Sequence, residues 1–342
     1  MSSAVRSVLP WVDSPFFDEE LASRPGTDVQ RQVAADYHRD GYVIIPDALS
    51  GDLIERAVVE LDRLFDDEQT RADRRVQDAW EYEGPAREIA IAPGVLDMLR
   101  YLYGREPVPF QTLTFQRGTE QRGHADAIHF NTLPPRFMCA VWVALEDIGP
   151  EAGALFYYPG SHKLPELAPA HLGQRADEFD YVAYENYLEE LMKTLGYQPK
   201  TFTAKKGDAL LWSSNVVHGG SPILDASSTR RSQVTHYFFE DCVYYTPQFS
   251  DVDTGEYHVR NGMVDIRTRK LVRHSYNGRP ISTASQRNGR SRLTVEPTAL
   301  DRVAAGVHEV TAGLPRVSRR AKGIGRRLLK RRNAWSGRLR SR

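Results

Sequence analysis

The sequence predicts a mainly β chain with flanking helices, its core an antiparallel jelly roll, closed or sandwiched. Three observations lead there. From Pro107 onward short apolar and aromatic runs follow one another: PFQTLTFQ, AIHF, FMCAVWVALE, ALFYYP, TFTA, DALLWSS and QVTHYFF. Gly, Pro, Asp and Asn bound these runs, as turns between strands require. Before Pro107 the apolar period is helical instead, so the helices flank the β-core.

Residues 1–27 carry Pro10, Pro15, Pro25 and Gly26 with no steady period, and read as an irregular N-terminal arm. Asp28 is placed to cap a helix running to about Arg39, where Gly41 stops it. YVIIP at 42–46 is a short strand. Ser50 caps LIERAVVELDRLF, whose Leu53, Ala57, Val58, Leu61 and Leu64 recur at helical spacing. A further helix spans Gly94 to Leu102. Within the β-core a helical insert, about Ala176 to Leu195, is rich in acids and carries Tyr181, Tyr184 and Tyr187. Two readings of it stand side by side: a lid over a substrate site, or a surface helix packing Tyr181, Tyr184 and Leu188 on the barrel. The stretch YHVRNGMVDIRTRKLV reads as a hairpin turning at Asn261-Gly262. One domain, 28–312, therefore lies between the arm and a C-terminal tail, 313–342.

Hydrophobic residues at 41% and charged residues at 26% are those of a globular chain able to bury a core. The net charge of zero hides an asymmetry. Twelve of the 45 basic residues lie in 313–342, which has no acid, leaving 33 basic against 45 acidic residues elsewhere. The bland reading of this tail is a solvated, disordered end. The sharper one is a basic amphipathic helix, with Val317, Ala321, Ile324, Leu328 and Trp335 on one stripe, lying on an anionic membrane surface. Gly323 and Gly325 oppose that helix by about 1 kcal/mol each. Nucleic acid is the rival polyanion, but no specific nucleic-acid contact is expected. Cys139 and Cys242 stand far apart in apolar sequence, which is neither a disulfide framework nor a zinc spacing. The first residues lack the pattern of a secretory signal, and no apolar stretch approaches the ~20 residues of a membrane span. The expected place is the cytoplasm, with the tail allowing peripheral attachment at the inner membrane surface.

The chemistry concentrates in GHADAIHF. His124 and Asp126 are two residues apart, so on an extended strand both side chains leave from one face. Joined by a distant His, such a pair makes the 2-His-1-carboxylate facial triad of non-haem Fe(II) oxygenases, with the opposite face of the metal open to a chelating co-substrate and dioxygen. Alone, H-x-D is common. The second half is LLWSSNVVHGGSPILDASSTRRSQVTHYFF, where His218 follows a strand and Gly219-Gly220 allow close approach of backbone to ligand. Twelve residues on comes Arg230, whose planar fork suits the far carboxylate of a dicarboxylate. Ser232 shares its face.

These segments together resemble the phytanoyl-CoA dioxygenase family. HAD at 124–126, FMCAVWVALEDI at 137–148, GALFYYPGSHKLP at 153–165, His218 and Arg230 carry the resemblance, with GYVIIPDALS at 41–50 as its opening strand and helix start. It covers roughly residues 30 to 245. It implies a double-stranded β-helix (cupin-like) fold, Fe(II), and 2-oxoglutarate converted to succinate and carbon dioxide with oxidation of a small-molecule substrate. His124, Asp126 and His218 match the ligands, Arg230 matches the arginine for the co-substrate carboxylate, and Trp142 and Thr112 match positions lining the co-substrate. This chain has Ala152-Gly153 where the family often has Asn-Gly, and Gly220 where it often has Ser.

Strand alternation places His129 on the face opposite Asp126, as a structural histidine or a substrate contact. His162 reads as a turn-stabilising partner, His236 as a residue pointing into the barrel, and Arg231 as solvated. Glu146 and Asp147 face opposite ways and do not form an acid/base pair. Hydroxylation of a C–H bond is the leading expectation, and desaturation, epimerisation or ring formation share its ligand set. A halogenase would carry a small residue in place of Asp126. A zinc or other cupin-type hydrolase would leave Arg230 without a duty, and a β-barrel binding module without chemistry would need none of the triad.

Overall fold

Thr27, rather than Asp28, caps the first long helix. Its hydroxyl accepts from the Gln30 N–H and the Gln30 side chain reaches back to the Thr27 N–H, a reciprocal capping box. The structure, a computed structural model, describes residues 8–66, 75–82, 84–283 and 289–296. The stretch read as an irregular arm is partly ordered by burial. Trp11–Asp13 forms a 3-10 turn and Phe17–Ser23 a helix, α1, and Trp11 and Phe17 are buried and stack on each other. Then follow α2 (Asp28–Asp40), α3 (Gly51–Leu64), α4 (Pro85–Ala90) and α5 (Pro93–Tyr103). Gly41 and Gly104 end α2 and α5 in the left-handed region, and Ser50 caps α3 as its spacing predicts.

Eleven strands build the core region: β1 (Tyr42–Ile45), β2 (Arg75–Gln77), β3 (Pro107–Phe115), β4 (Asn131–Leu133), β5 (Met138–Ala144), β6 (Leu155–Tyr157), β7 (Lys200–Phe202), β8 (Ala209–Ser213), β9 (His218–Gly220), β10 (Ser232–Phe239) and β11 (Val243–Tyr245). The main sheet has the order β1-β8-β5-β10-β3-β2, antiparallel throughout. A three-stranded sheet, β7-β6-β9, and the pair β11-β4 complete the strand set of a jelly roll.

Every residue of β5 and β10 is buried, because both faces of the main sheet are covered. Alternation sorts them. Cys139, Val141 and Val143 with Leu211 and Tyr237 face the helices, joining Ile54, Leu61, Leu99 and Leu102 in one cluster. Ala140, Trp142 and Ala144 with Leu210, Trp212 and Val234 face inward, toward Leu155 of the smaller sheet. Both cysteines are free and buried, Cys139 in β5 and Cys242 just before β11.

Three expectations need correction. AIHF is not a strand, because the chain turns into a 3-10 helix at Asp126–Ile128. The helical insert begins at Tyr181, not Ala176, where Asp180 caps α6 (Tyr181–Thr194) by accepting from the Val182 and Ala183 N–H groups. The late hairpin does not turn at Asn261-Gly262; its paired residues are Val264–Asp265 and Lys270–Leu271, so the reversal lies between Asp265 and Lys270. Val8–Thr294 form one compact unit. The basic tail, 313–342, and residues 297–312 before it lie outside the described residues. Among the described residues no helix is long and apolar enough to cross a membrane.

Candidate metal centre and co-substrate pocket

His124 and His218 are brought together by backbone pairing. The His124 N–H donates to the His218 carbonyl and the His218 N–H to the His124 carbonyl, both at 2.9 Å, an isolated antiparallel bridge. Directly paired residues project to the same side, and the two imidazole rings lie 4.5 Å apart. Ala125 is extended, so Asp126 also emerges on that side before the 3-10 turn begins. Asp126 Oδ1 stands 3.9 Å from Nε2 of each histidine. One ligand atom from each of the three lies within 4.8 Å of the others, all three buried, a set that could hold one metal ion.

Neighbours fix these side chains. Nδ1 of His124 meets the Arg122 carbonyl and Nδ1 of His218 the Val216 carbonyl, each at 3.0 Å. A carbonyl only accepts, so Nδ1 carries the proton and Nε2 offers its lone pair to a metal. Burial, with His218 alongside, pushes His124 down to about 3 and keeps it neutral. Burial alone would raise the Asp126 carboxyl. His218, His236 and His124 around it, and the Trp212 indole N–H donating to Oδ2 at 2.8 Å, hold it below the usual carboxylate range instead. The donor set is therefore two imidazole Nε2 atoms and one carboxylate, the composition a facial triad requires.

The three residues open into a cavity of about 390 Å³ that also receives Arg230 and Trp142. Arg230 is 2% exposed, yet among the described residues its Nη1 donates only to the Gly153 carbonyl at 3.1 Å and its Nε has no partner. Burial pulls its pKa down to about 10, and no ion pair with it is formed among the described residues. The Trp142 indole N–H is likewise buried and unpartnered. Two unspent donors facing one cavity are what a carboxylate ligand would satisfy.

Ser232 and Thr112 fall elsewhere. The Ser232 hydroxyl donates to the Arg230 carbonyl at 3.2 Å and does not line the cavity. Leu113 and Phe115 point inward, so alternation turns Thr112 outward, opposite Thr235, and its place among the lining residues goes to its neighbours Gln111 and Leu113. Arg231 is not solvated: it grips Asp62 through Nε and Nη2 and Glu146 through Nη1. His129 enters the cavity instead of facing away, because the 3-10 turn breaks strand alternation, and its Nε2 meets the Tyr181 hydroxyl at 3.1 Å. His236 also lines it, Nε2 3.9 Å from Asp126 Oδ2. Trp212 escaped the sequence reading, although its place two residues from Leu210 on an inward-facing strand carried the signal. His162 does not bond within its own turn but ties that turn to α2, its Nε2 meeting the His38 carbonyl at 3.2 Å.

Helix α6 supports the ligand loop. Tyr184, Leu188 and Met192 are buried with Ile128 and Val217, and the Tyr184 hydroxyl accepts from the Ala125 N–H at 3.1 Å. Gly219 lines the cavity and also has a packing role: a Cβ there would sit 2.6 Å from the Gln121 carbonyl oxygen and 2.6 Å from the Phe156 ring. Gly219→Ala is therefore expected to push β9 away from the 121–124 segment, costing about 1–3 kcal/mol as overpacking does. Urea unfolding measures that cost, and Mn(II) titration should show weakened metal binding, since His124 and His218 face each other across this seam.

Residues 37–232, more than half of the chain, match the family model described as phytanoyl-CoA dioxygenase. Over 216 residues the chain is 26% identical to the ectoine dioxygenase of Sphingopyxis alaskensis, which covers 56% of this chain and 70% of that protein. Over 169 residues it is 34% identical to the phytanoyl-CoA dioxygenase domain-containing protein 1 of Danio rerio, 46% of this chain and 54% of that one. Among solved structures, EctD from S. alaskensis with 2-oxoglutarate and 5-hydroxyectoine superposes with a TM-score of 0.50 at 20% identity, over 69% of this chain and 86% of that chain. The carbocyclase SnoK from nogalamycin biosynthesis gives 0.51 at 16%, over 66% and 88%, a likeness of fold. The chain thus belongs to the phytanoyl-CoA dioxygenase family, and is a non-haem oxygenase whose cofactors are Fe(II) and 2-oxoglutarate.

Proposed function

We propose that this enzyme hydroxylates an unactivated C–H bond of a small organic substrate, with His124, Asp126 and His218 as the iron ligands and Arg230 and Trp142 as the seat of 2-oxoglutarate. The observation that carries the reading is Arg230, a buried guanidinium with one backbone acceptor and an unspent Nε, opening on the same cavity as the triad. A buried, obligate cation is costly without an anion, and a dicarboxylate chelating the metal would bring one. Bound iron with 2-oxoglutarate and dioxygen supplies the oxidising power, with succinate and carbon dioxide as by-products.

The chain's own part is orientation and exclusion of water. Trp212 holds Oδ2 of Asp126, leaving Oδ1 toward the metal position. Phe115, whose ring centre is 5.7 Å from the Arg230 guanidinium carbon, and Trp142 wall the co-substrate end. His236, pushed down to about 4 by burial, stands with its Nε2 3.9 Å from Asp126 Oδ2 and closes the side of the cavity next to the carboxylate. Ectoine dioxygenase among the relatives supports a small-molecule substrate. Desaturation, epimerisation and cyclisation would use the same ligands, and product analysis separates them.

The test is anaerobic addition of Fe(II) and 2-oxoglutarate to the metal-free chain. A visible charge-transfer band that bleaches on aeration, with stoichiometric succinate, is the expected outcome. Absence of 2-oxoglutarate binding to the Mn(II) form, by calorimetry, would falsify the co-substrate assignment.

A further inference from the structure

Beyond the triad the cavity contains a second arginine that neither the metal nor 2-oxoglutarate employs. Arg260 lies in the chain after β11, outside the span matched to the family. It lines the cavity with its Nε buried and, among the described residues, unpartnered, while its Nη1 reaches only the Thr246 hydroxyl there, at 3.3 Å. It forms no ion pair among the described residues. Asp78, whose charge it feels, is committed elsewhere: Oδ1 accepts from the Thr112 backbone and the Trp80 indole, Oδ2 from Gln77.

Two rings hold the guanidinium in place. Its carbon stands 4.7 Å from the centre of Phe130 and 5.5 Å from that of Phe110. Phe130 is 5.0 Å from the ring of His236, and His236 Nε2 is 3.9 Å from Asp126. Arg260 is thus one histidine and one phenyl ring away from the metal position, the reach of a small molecule. The charge balance points the same way. Arg230 and Arg260 line the cavity, with the exposed Arg75 at its edge, while Asp126 is the one carboxylate among its described lining residues. With Fe(II) and doubly charged 2-oxoglutarate in place, Asp126 and the two enclosed arginines would leave one positive charge uncompensated, that of Arg260.

We propose that Arg260 seats an anionic group of the substrate, a carboxylate or a sulfate or phosphate ester on an apolar body. Substrate specificity in this enzyme then rests on a buried charge-assisted hydrogen bond, with Phe110 and Phe130 holding the guanidinium fork in position. This deepens the oxygenase reading above and depends on it for the metal and the co-substrate.

The experiment uses the full chain carrying Mn(II), titrated first with 2-oxoglutarate, so that failure of the co-substrate reading is seen separately. The saturated complex is then titrated with 4-phenylbutyrate, 3-phenylpropyl sulfate, 3-phenylpropyl phosphate, the neutral 4-phenylbutyramide and the cationic 4-phenylbutylamine. At least one anion should bind about 10-fold or more tightly than the amide and the amine, the least that a lost charge-assisted bond implies. The member that binds best identifies the anion class. R260Q should lose that preference while keeping 2-oxoglutarate affinity and the melting temperature, and R260K should keep part of it. The idea is overturned by an amide that binds as well as the anions, by a preference that survives in R260Q, or by no probe binding at all.

Discussion

Alanine at His124, Asp126 or His218 is expected to abolish iron-dependent release of succinate while leaving the fold largely intact. Losing a partner that merely orients a ligand already costs about 10–100-fold in metal affinity, so losing one of three ligands should exceed that. The fold survives because the seam between the 124 and 218 segments is made by backbone bonds that alanine keeps. Asp126→Asn is the sharper variant: the amide oxygen can still accept from Trp212, so packing is preserved while the charge is lost. Mn(II) titration and succinate assays check both. Full turnover in any one alanine variant would remove that residue from the proposed set.

Arg230→Lys should raise the apparent KM for 2-oxoglutarate by one to two orders of magnitude, about 1.4–2.8 kcal/mol, with kcat at saturation little changed. Lysine keeps the charge but has neither Nε–H nor the planar fork, and it would lose the geometry that places Arg230 under the Gly153 carbonyl. Arg231→Lys is the control, though not the inert one its neighbour-facing register suggests. Its bidentate grip on Asp62 and contact with Glu146 make a loss of stability of up to about 1 kcal/mol the expected change, since the pair is half-buried. KM should not move. If instead Arg231→Lys raised KM and Arg230→Lys did not, the face assignment of this strand would be reversed.

Much of this was legible because strands and helices declare their faces locally. FMCAVWVALE is apolar throughout, and it is buried on both faces; the alternation inside it nonetheless assigns Trp142 to the cavity side. Ser50 with the 53-57-61 stripe gave α3 its cap and its buried face. The ordered part of the N-terminal arm was not legible. A seven-residue helix between prolines carries too short a pattern, and its order comes from Phe17 stacking on His38, 4.0 Å away, and on Trp11.

By itself the sequence determined the strand-rich core, the family, and the residue types of the metal set, because ligand chemistry and period-2 alternation are properties of a few neighbouring residues. Only the tertiary structure decided which distant groups meet. Alternation holds as long as backbone stays extended, and the 3-10 turn at Asp126 ended it, swinging His129 into the cavity. The pairing of His124 with His218 spans most of the core and exists only once the sheets have closed. Trp212 on Asp126, the outward turn of Thr112 and the arrival of Arg260 beside Phe130 follow from that closure. Such contacts depend on loop paths and sheet register, which no local pattern encodes, and they set the field in which the local chemistry acts.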